Sequence, residues 1–225
     1  MLILAIDTSG KSGGITLAEG DQQSCRVLES APIAGGTFSA QLVPAIAGLL
    51  HKHGLRAADI GGFAVVSGPG SFTGLRIGLA AVKGLVEVLT KPIAAVSLLE
   101  ALAVSSGGEG KIAAALDAGR AEIYFGLYDV NNGRAIVLAE SLLSQSAFVE
   151  EIAASHPACL ATSDPFVVKA ALPTEVRTQE VPRPGSELIA QIGLKKLLDG
   201  EIVSVEILDA NYIRRSDAEI FSKAK

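Results

Sequence analysis

Tryptophan is absent from this chain of 225 residues, methionine occurs once, and seven Phe and three Tyr make up only 4% of it. A surface poor in aromatics offers few platforms on which bases could stack. Basic runs are missing too: 19 Lys and Arg face 24 Asp and Glu, for a net charge of −5. Phosphate backbones are held by clustered cations, so the chain is poorly equipped to bind nucleic acid alone. The two cysteines, Cys25 and Cys159, lie far apart without ligand-like spacing. They read as reduced core thiols of a cytosolic protein. No apolar run approaches the ~20 residues of a membrane span. The opening MLILAIDTSG lacks a basic leader and is interrupted by Asp7 too soon for a signal peptide. His51, His53 and His156 are the only histidines. His51 and His53 would point about 200° apart on a helix and cannot share a metal. None neighbours a plausible Cys or Ser nucleophile, and no HExxH occurs, so a peptidase would lack its ligands. The expectation is a soluble, cytoplasmic, globular protein without a resident metal.

What is present is order, stated twice. Leu2 to Thr8, Gly14 to Ala18 and Arg26 to Ile33 read as hairpin-linked strands. Ser39 to His53 carries Leu42, Ile46, Leu49 and Leu50 at helical period, with Pro44 expected to bend the helix or mark its true start. A strand (Gly62 to Val66), a glycine loop and a helix (Thr73 to Leu89) follow. From Lys111 the pattern recurs: strands at Ile112 to Leu116, Glu122 to Val130 and Ala135 to Glu140, a helix at Ala147 to Ser155, a strand at Ala158 to Thr162. The first strands end alike, LAID against AALD. A duplicated βββαβα unit predicts an α/β fold of two ribonuclease-H-like lobes, on the plan of the actin, Hsp70 and sugar-kinase superfamily. The lobes are drawn at residues 1–98 and 99–225. A tail helix, Ser186 to Leu198, is expected to pack back on the first lobe, with a strand or extended segment after it to Ile207.

Residues 67–78, SGPGSFTGLRIG, invite a phosphate. They match neither standard cradle. A Walker loop needs Gly-Lys-Ser/Thr, and Leu75 follows Gly74 here. The dinucleotide fingerprint needs closer spacing than Gly68, Gly70 and Gly74 provide. A structural turn capped by Ser71 or Thr73 is the favoured reading, with Asp7, Ser71, Thr73 and Arg76 kept as possible anion or nucleotide contacts. Two readings stand for Asp7: a carboxylate near hydrated magnesium, or a cap of its own turn. For Asp117 the turn is favoured. On the helix after the loop, Arg76, Lys83, Glu87 and Thr90 form one narrow polar stripe, and nearly all the rest is apolar or glycine. That surplus suits either a protein partner or deep burial. As a partner surface it would comprise Leu42, Ile46, Leu49, Leu75, Leu79, Val82 and Val86. Gly74, Gly78 and Gly84 would admit a second backbone, and a charge at Leu79 or Val82 would abolish pairing without unfolding the lobe.

The landmarks LAIDTS, SGPGSFTGLRIG, ALDAGRAEIY and NYIRR, in this order across almost the whole chain, resemble the TsaB (YeaZ) family. The resemblance implies a catalytically silent paralogue of TsaD, the transferase that places threonylcarbamoyl on adenosine 37 of tRNA. It implies pairing with TsaD through the first-lobe helices, self-pairing through the same surface, contact with the ATPase TsaE, and only indirect contact with tRNA. ATP or ADP and Mg would belong to the partner complex, and none to the isolated chain. TsaD holds its metal with a His-x3-His pair, whereas the matching stretch here, Phe38-Ser39-Ala40-Gln41-Leu42, has no histidine. The glycine-rich turn that TsaD aims at nucleotide is here Ala161-Thr162-Ser163-Asp164-Pro165, without glycine and with an added carboxylate. Compared with better-known members, Phe38 also replaces a frequent His, and Gly119-Arg120 displaces an arginine by one place. The alternative within the same superfamily is an ATP-dependent kinase or acyl transferase built on Asp7 and the glycine loop. An older glycoprotease-like label fits these residues poorly.

Overall fold

Continuous apolar runs at the N-terminus become a sheet covered on both faces. In the computed structural model, which describes residues 1–169, 172 and 176–210, strands β1 (Leu2–Asp7), β2 (Ser12–Gly20) and β3 (Cys25–Ala34) form an antiparallel meander. Helix α1 (Phe38–Lys52) leads to β4 (Gly62–Gly68), which pairs parallel to β1. Helix α2 (Phe72–Leu89) leads to β5 (Ile93–Ser97), parallel to β4, and α3 (Leu98–Ser105) follows at once. The order is β3-β2-β1-β4-β5. Every residue of β4 is buried. Pro44 does not start α1: the helix runs through it from Phe38. Its missing N–H leaves the Ala40 carbonyl without a helical donor, and Ala40 is exposed, so water can serve it.

The second meander repeats the first. Strands β6 (Gly110–Gly119), β7 (Glu122–Asn131) and β8 (Arg134–Ser144) are antiparallel, α4 (Gln145–Ser155) crosses over, and β9 (Cys159–Thr162) pairs parallel to β6. A short α5 (Pro165–Lys169) precedes β10 (Thr178–Glu180), giving the order β10-β9-β6-β7-β8. Read from the meander edge, the two sheets have one topology, and the duplication inferred from the order of elements is the architecture. Phe125 and Phe148 meet edge to face at 5.9 Å in this sheet's core, a favoured aromatic geometry. Asn132 and Gly133, with φ of 52° and 67°, make the two-residue turn that joins β7 to β8 and suits the twist of paired strands.

The chain divides into two compact units: Met1–Leu98 with Pro184–Ala210, and Leu99–Arg183. The lobe drawn as 99–225 therefore cedes Pro184–Ala210 to the first unit. These residues form α6 (Ser186–Leu198), which lies on the face of the first sheet opposite α2. Register explains the fit. Ala5, Ala64 and Ala94 stand side by side on three neighbouring strands. This shallow row lets the helix backbone come close: a Cβ on Gly193 would lie 2.2 Å from the Ala64 Cβ. Ser186 Oγ meets Thr16 Oγ1 at 2.8 Å on the same face. The expected strand towards Ile207 is reduced to one bridge, Val203 with Ile93. NYIRR lies outside the described residues.

Candidate functional site

The end of β1 and the glycine loop are built around each other. Asp7 is 4% exposed, and its Oδ1 accepts from Ser9 N at 2.8 Å and from Ser9 Oγ at 2.6 Å. Of the two readings of Asp7, the turn cap is therefore the contact the structure makes. Asp117 does the same at the matching strand end, accepting from Gly119 N at 2.7 Å. Thr8 Oγ1 donates to the Gly74 carbonyl at 2.7 Å, and Ser71 N donates to the Ser9 carbonyl at 2.8 Å. Ser71 caps α2, its Oγ accepting from Gly74 N at 3.3 Å.

Three loop glycines serve this junction. A Cβ at Gly70 would fall 2.5 Å from the Ser9 carbonyl oxygen, one at Gly74 2.0 Å from the Thr8 carbonyl oxygen, and one at Gly78 2.4 Å from Thr8 Oγ1. Contacts that short are forbidden, so these positions are glycine because β1's end presses on the helix. The close approach expected of a partner at Gly74 and Gly78 is taken by the chain's own Thr8. Of the remaining anion candidates, Thr73 is exposed and Arg76 stacks over the Phe72 ring, 3.8 Å from its centroid.

The helix surface also differs from the one read along the sequence. Leu42, Ile46, Leu49, Leu75, Leu79, Val82 and Val86 are all buried, none more than 7% exposed, in the first unit's own core. The surplus apolar face goes first to the sheet, because an internal strand pair needs cover along its whole length. A charge at Leu79 or Val82 would therefore unfold the unit. What α1 and α2, which pack on each other, leave outside is a surface of small and apolar residues. Val43 is 62% exposed and Val88 81%, with Ala47, Gly48, Ala80 and Gly84 between them. Among the described residues, nothing outside the helix's own backbone comes within 4 Å of the place a Cβ on Gly48 or Gly84 would occupy. Sequence reading passed over Gly48, whose signal is a helical glycine at a position facing solvent.

Other candidate chemistry is spoken for. Among the described residues no three His, Cys, Asp or Glu side chains gather as a metal site. Phe38 is buried, its ring against Gly13. Burial pushes both thiols up, away from the reactive thiolate; Cys25 is only half-buried, at the start of an edge strand, so it is not a core residue. In the second unit's turn, Asp164 N donates to Thr162 Oγ1 at 3.0 Å. His53 Nε2 and Lys52 Nζ reach the Glu29 carboxylate at 2.9 and 2.7 Å, which ties the end of α1 to β3. Among the described residues no helix is long and apolar enough to cross a membrane.

Two copies of a three-stranded meander with parallel crossover strands, each carrying a turn-capping aspartate at the end of its first strand, define a duplicated ribonuclease-H-like protein of the actin, Hsp70 and sugar-kinase class. Comparison with known proteins narrows this. The model of the family "TsaD: tRNA N6-adenosine threonylcarbamoyltransferase" matches residues 32–176. The Bacillus subtilis "tRNA threonylcarbamoyladenosine biosynthesis protein TsaB" is 39% identical over 134 residues, which are 59% of this chain and 57% of that protein. The Escherichia coli protein of the same name is 27% identical over 97% of this chain and 96% of its own length. The solved YeaZ of Pseudomonas aeruginosa superposes with a TM-score of 0.77 at 27% identity, over 94% of this chain and 100% of that one. A second solved structure, described as similar to the peptidase YEAZ of Pseudomonas aeruginosa, superposes at 0.75. The chain belongs to the TsaD family and, within it, to the TsaB (YeaZ) proteins.

Proposed function

We propose that this chain is a non-catalytic subunit in the biosynthesis of tRNA threonylcarbamoyladenosine, pairing with TsaD through the outer faces of α1 and α2 and holding it in a competent conformation. TsaE would join the assembled pair, the same helix faces would serve self-pairing, and ATP or ADP and Mg would sit with the partner. One observation carries the reading: Gly48 and Gly84 open into space that no described residue fills. A glycine inside a helix costs roughly 0.5–1 kcal/mol relative to alanine. At Gly74 and Gly78 the fold itself requires it; at Gly48 and Gly84 nothing among the described residues does. A second helix crossing at close range would, as small residues at helix contacts permit short interaxial distances. The names of the relatives support the pathway. The occupied carboxylate of Asp7 and the loop glycines filled by Thr8 and Ser9 support a silent site over the kinase or acyl-transferase alternative.

The test is pairing with fold held constant. Gly84→Arg and Gly48→Arg are expected to fold with the melting temperature of the parent chain and to lose co-purification with TsaD and tRNA modification in the reconstituted system. Leu79→Asp is expected to lose both pairing and fold. Undiminished co-purification by both arginine variants would refute the surface. Micromolar binding of Mg-ATP to the isolated chain, measured by calorimetry, would return the kinase or acyl-transferase reading.

A further inference from the structure

Glycine is not the least suitable residue on the outer face of α1. Proline in a helix interior is worse than any other, because it removes a hydrogen bond and crowds the preceding turn. Pro44 lies inside α1 and is exposed, so it fills no gap in the core. Ala40 and Gly48, four residues to either side of it, are exposed as well. Residues four apart share one face of a helix, so the three form a single outward row. The row ends at Gly48, where no described residue fills the space of a Cβ. Two residues that a helix tolerates poorly thus stand one turn apart on the face proposed for pairing.

What Pro44 does there is chemical. In a helix the N–H of residue 44 would donate to the carbonyl of residue 40. Proline has no N–H, so the Ala40 carbonyl is left to water. It points along the axis into the turn between Ala40 and Pro44. That turn ends about 6 Å from Gly48, at a rise of 1.5 Å per residue. A helix is about 10–12 Å across with its side chains, so one that crosses α1 at Gly48 also covers this turn and displaces its water. A carbonyl stripped of water and given no donor would weaken the pair by about tenfold or more. The crossing helix must therefore bring the donor itself, and its own backbone N–H groups are used within it. We infer that Ala40 and Pro44 form a recognition point for the partner helix, which donates to the Ala40 carbonyl from a hydroxyl, amide or cationic side chain. The inference rests on the pairing surface proposed above and adds the chemistry that the partner helix carries.

Calorimetry of the full-length chain with TsaD supplies the test. Pro44→Ala restores an N–H at position 44 and satisfies the Ala40 carbonyl from within the helix. It is expected to melt no lower than the parent chain, yet to bind TsaD about tenfold more weakly. Pro44→Val restores the N–H with a side chain of nearly proline's bulk, and is expected to lose the same affinity. Replacing Pro44 by lactic acid, the hydroxy-acid counterpart of alanine, puts an ester oxygen where the N–H would stand. That variant discards the ring and leaves the Ala40 carbonyl open, so it is expected to recover most of what Pro44→Ala loses. Parental affinity in Pro44→Ala would overturn the inference. So would parental affinity in Pro44→Val, which would assign the loss to the ring, or a lactic acid variant as weak as Pro44→Ala. If Gly48→Arg and Gly84→Arg keep full pairing, the surface fails and this inference with it. If they abolish pairing while Pro44→Ala leaves it unweakened, this inference alone fails.

Discussion

Gly74 and Gly84 stand on the same helix, yet their surroundings differ completely. A methyl group at Gly74 would strike the Thr8 carbonyl oxygen at 2.0 Å, while at Gly84 it would meet none of the described residues. The same substitution should then have opposite signs. Gly74→Ala forces backbone apart and is expected to destabilise the chain by about 1–3 kcal/mol. Gly84→Ala removes backbone entropy from the unfolded state and is expected to stabilise it by about 0.5–1 kcal/mol. Urea unfolding of the two variants measures both values. Equal signs would mean that the junction between β1 and the loop does not carry the strain the distances describe. The comparison also separates the two uses of glycine in a motif that reads as uniform, one internal to the fold and one facing outward.

At the scale of elements, α6 is the piece whose fit depends on a single atom's width. It covers the row Ala5, Ala64 and Ala94 with Gly193 at the contact and buries Ile189, Ile192, Leu194 and Leu197 around it, each worth roughly 1.5–3 kcal/mol. Gly193→Val puts branched carbon where the Ala64 methyl already lies. It is expected to release the helix, seen as fast amide exchange across Ser186–Leu198 and loss of at least about 2 kcal/mol in urea unfolding. Protection kept across α6 would show that it can shift without cost. The sequence made most elements legible, because strands such as β1 and β4 are near-continuous apolar runs and α1 and α2 keep strict helical period. It hid β5 and α3, since Ile93-Ala94-Ala95-Val96-Ser97 flows into Leu98 without a turn residue, and β10, which is only three polar residues long. The burial of Leu79 and Val82 was also hidden. Periodicity says that a face is apolar, and only the position of the sheet says which part of it is already used. Gly48 and Gly84 become informative after the core is known.

For the whole molecule, the lowered carboxylates near the surface point the same way. Hydrogen bonds from Lys52 and then His53 hold Glu29 below its ordinary value of 4.5. Backbone donation from Arg56 lowers Asp59, and from Gln23 and Ser24 lowers Asp21, both from 3.8. A carboxylate lowered in the folded state adds stability that is fully present above its unfolded value and disappears as pH falls through the folded one. The chain is therefore expected to hold level above about pH 5 and to weaken below pH 4.5 as these groups protonate. Solvent screens such exposed pairs, so each share is small. Glu29→Gln should make the acid slope shallower and leave stability at pH 7 slightly reduced. Thermal melts from pH 3 to 7 read both, and an unaltered slope would rule out the Glu29 cluster as a contributor.

The return of α6 to the first unit also sets a schedule for synthesis. Every strand of the first sheet has been made once Ser97 is added, but the helix that covers its alanine row is complete only at Leu198. At about 5–20 residues per second, the roughly one hundred intervening residues take on the order of 5–20 s to translate. During that interval the nascent chain holds a finished sheet with one apolar side bare. The second sheet, whose own crossover helices are encoded within it, can close first. The first sheet is thus covered only late in synthesis, and a ribosome stalled between residues 98 and 186 would display a surface for chaperones to cover.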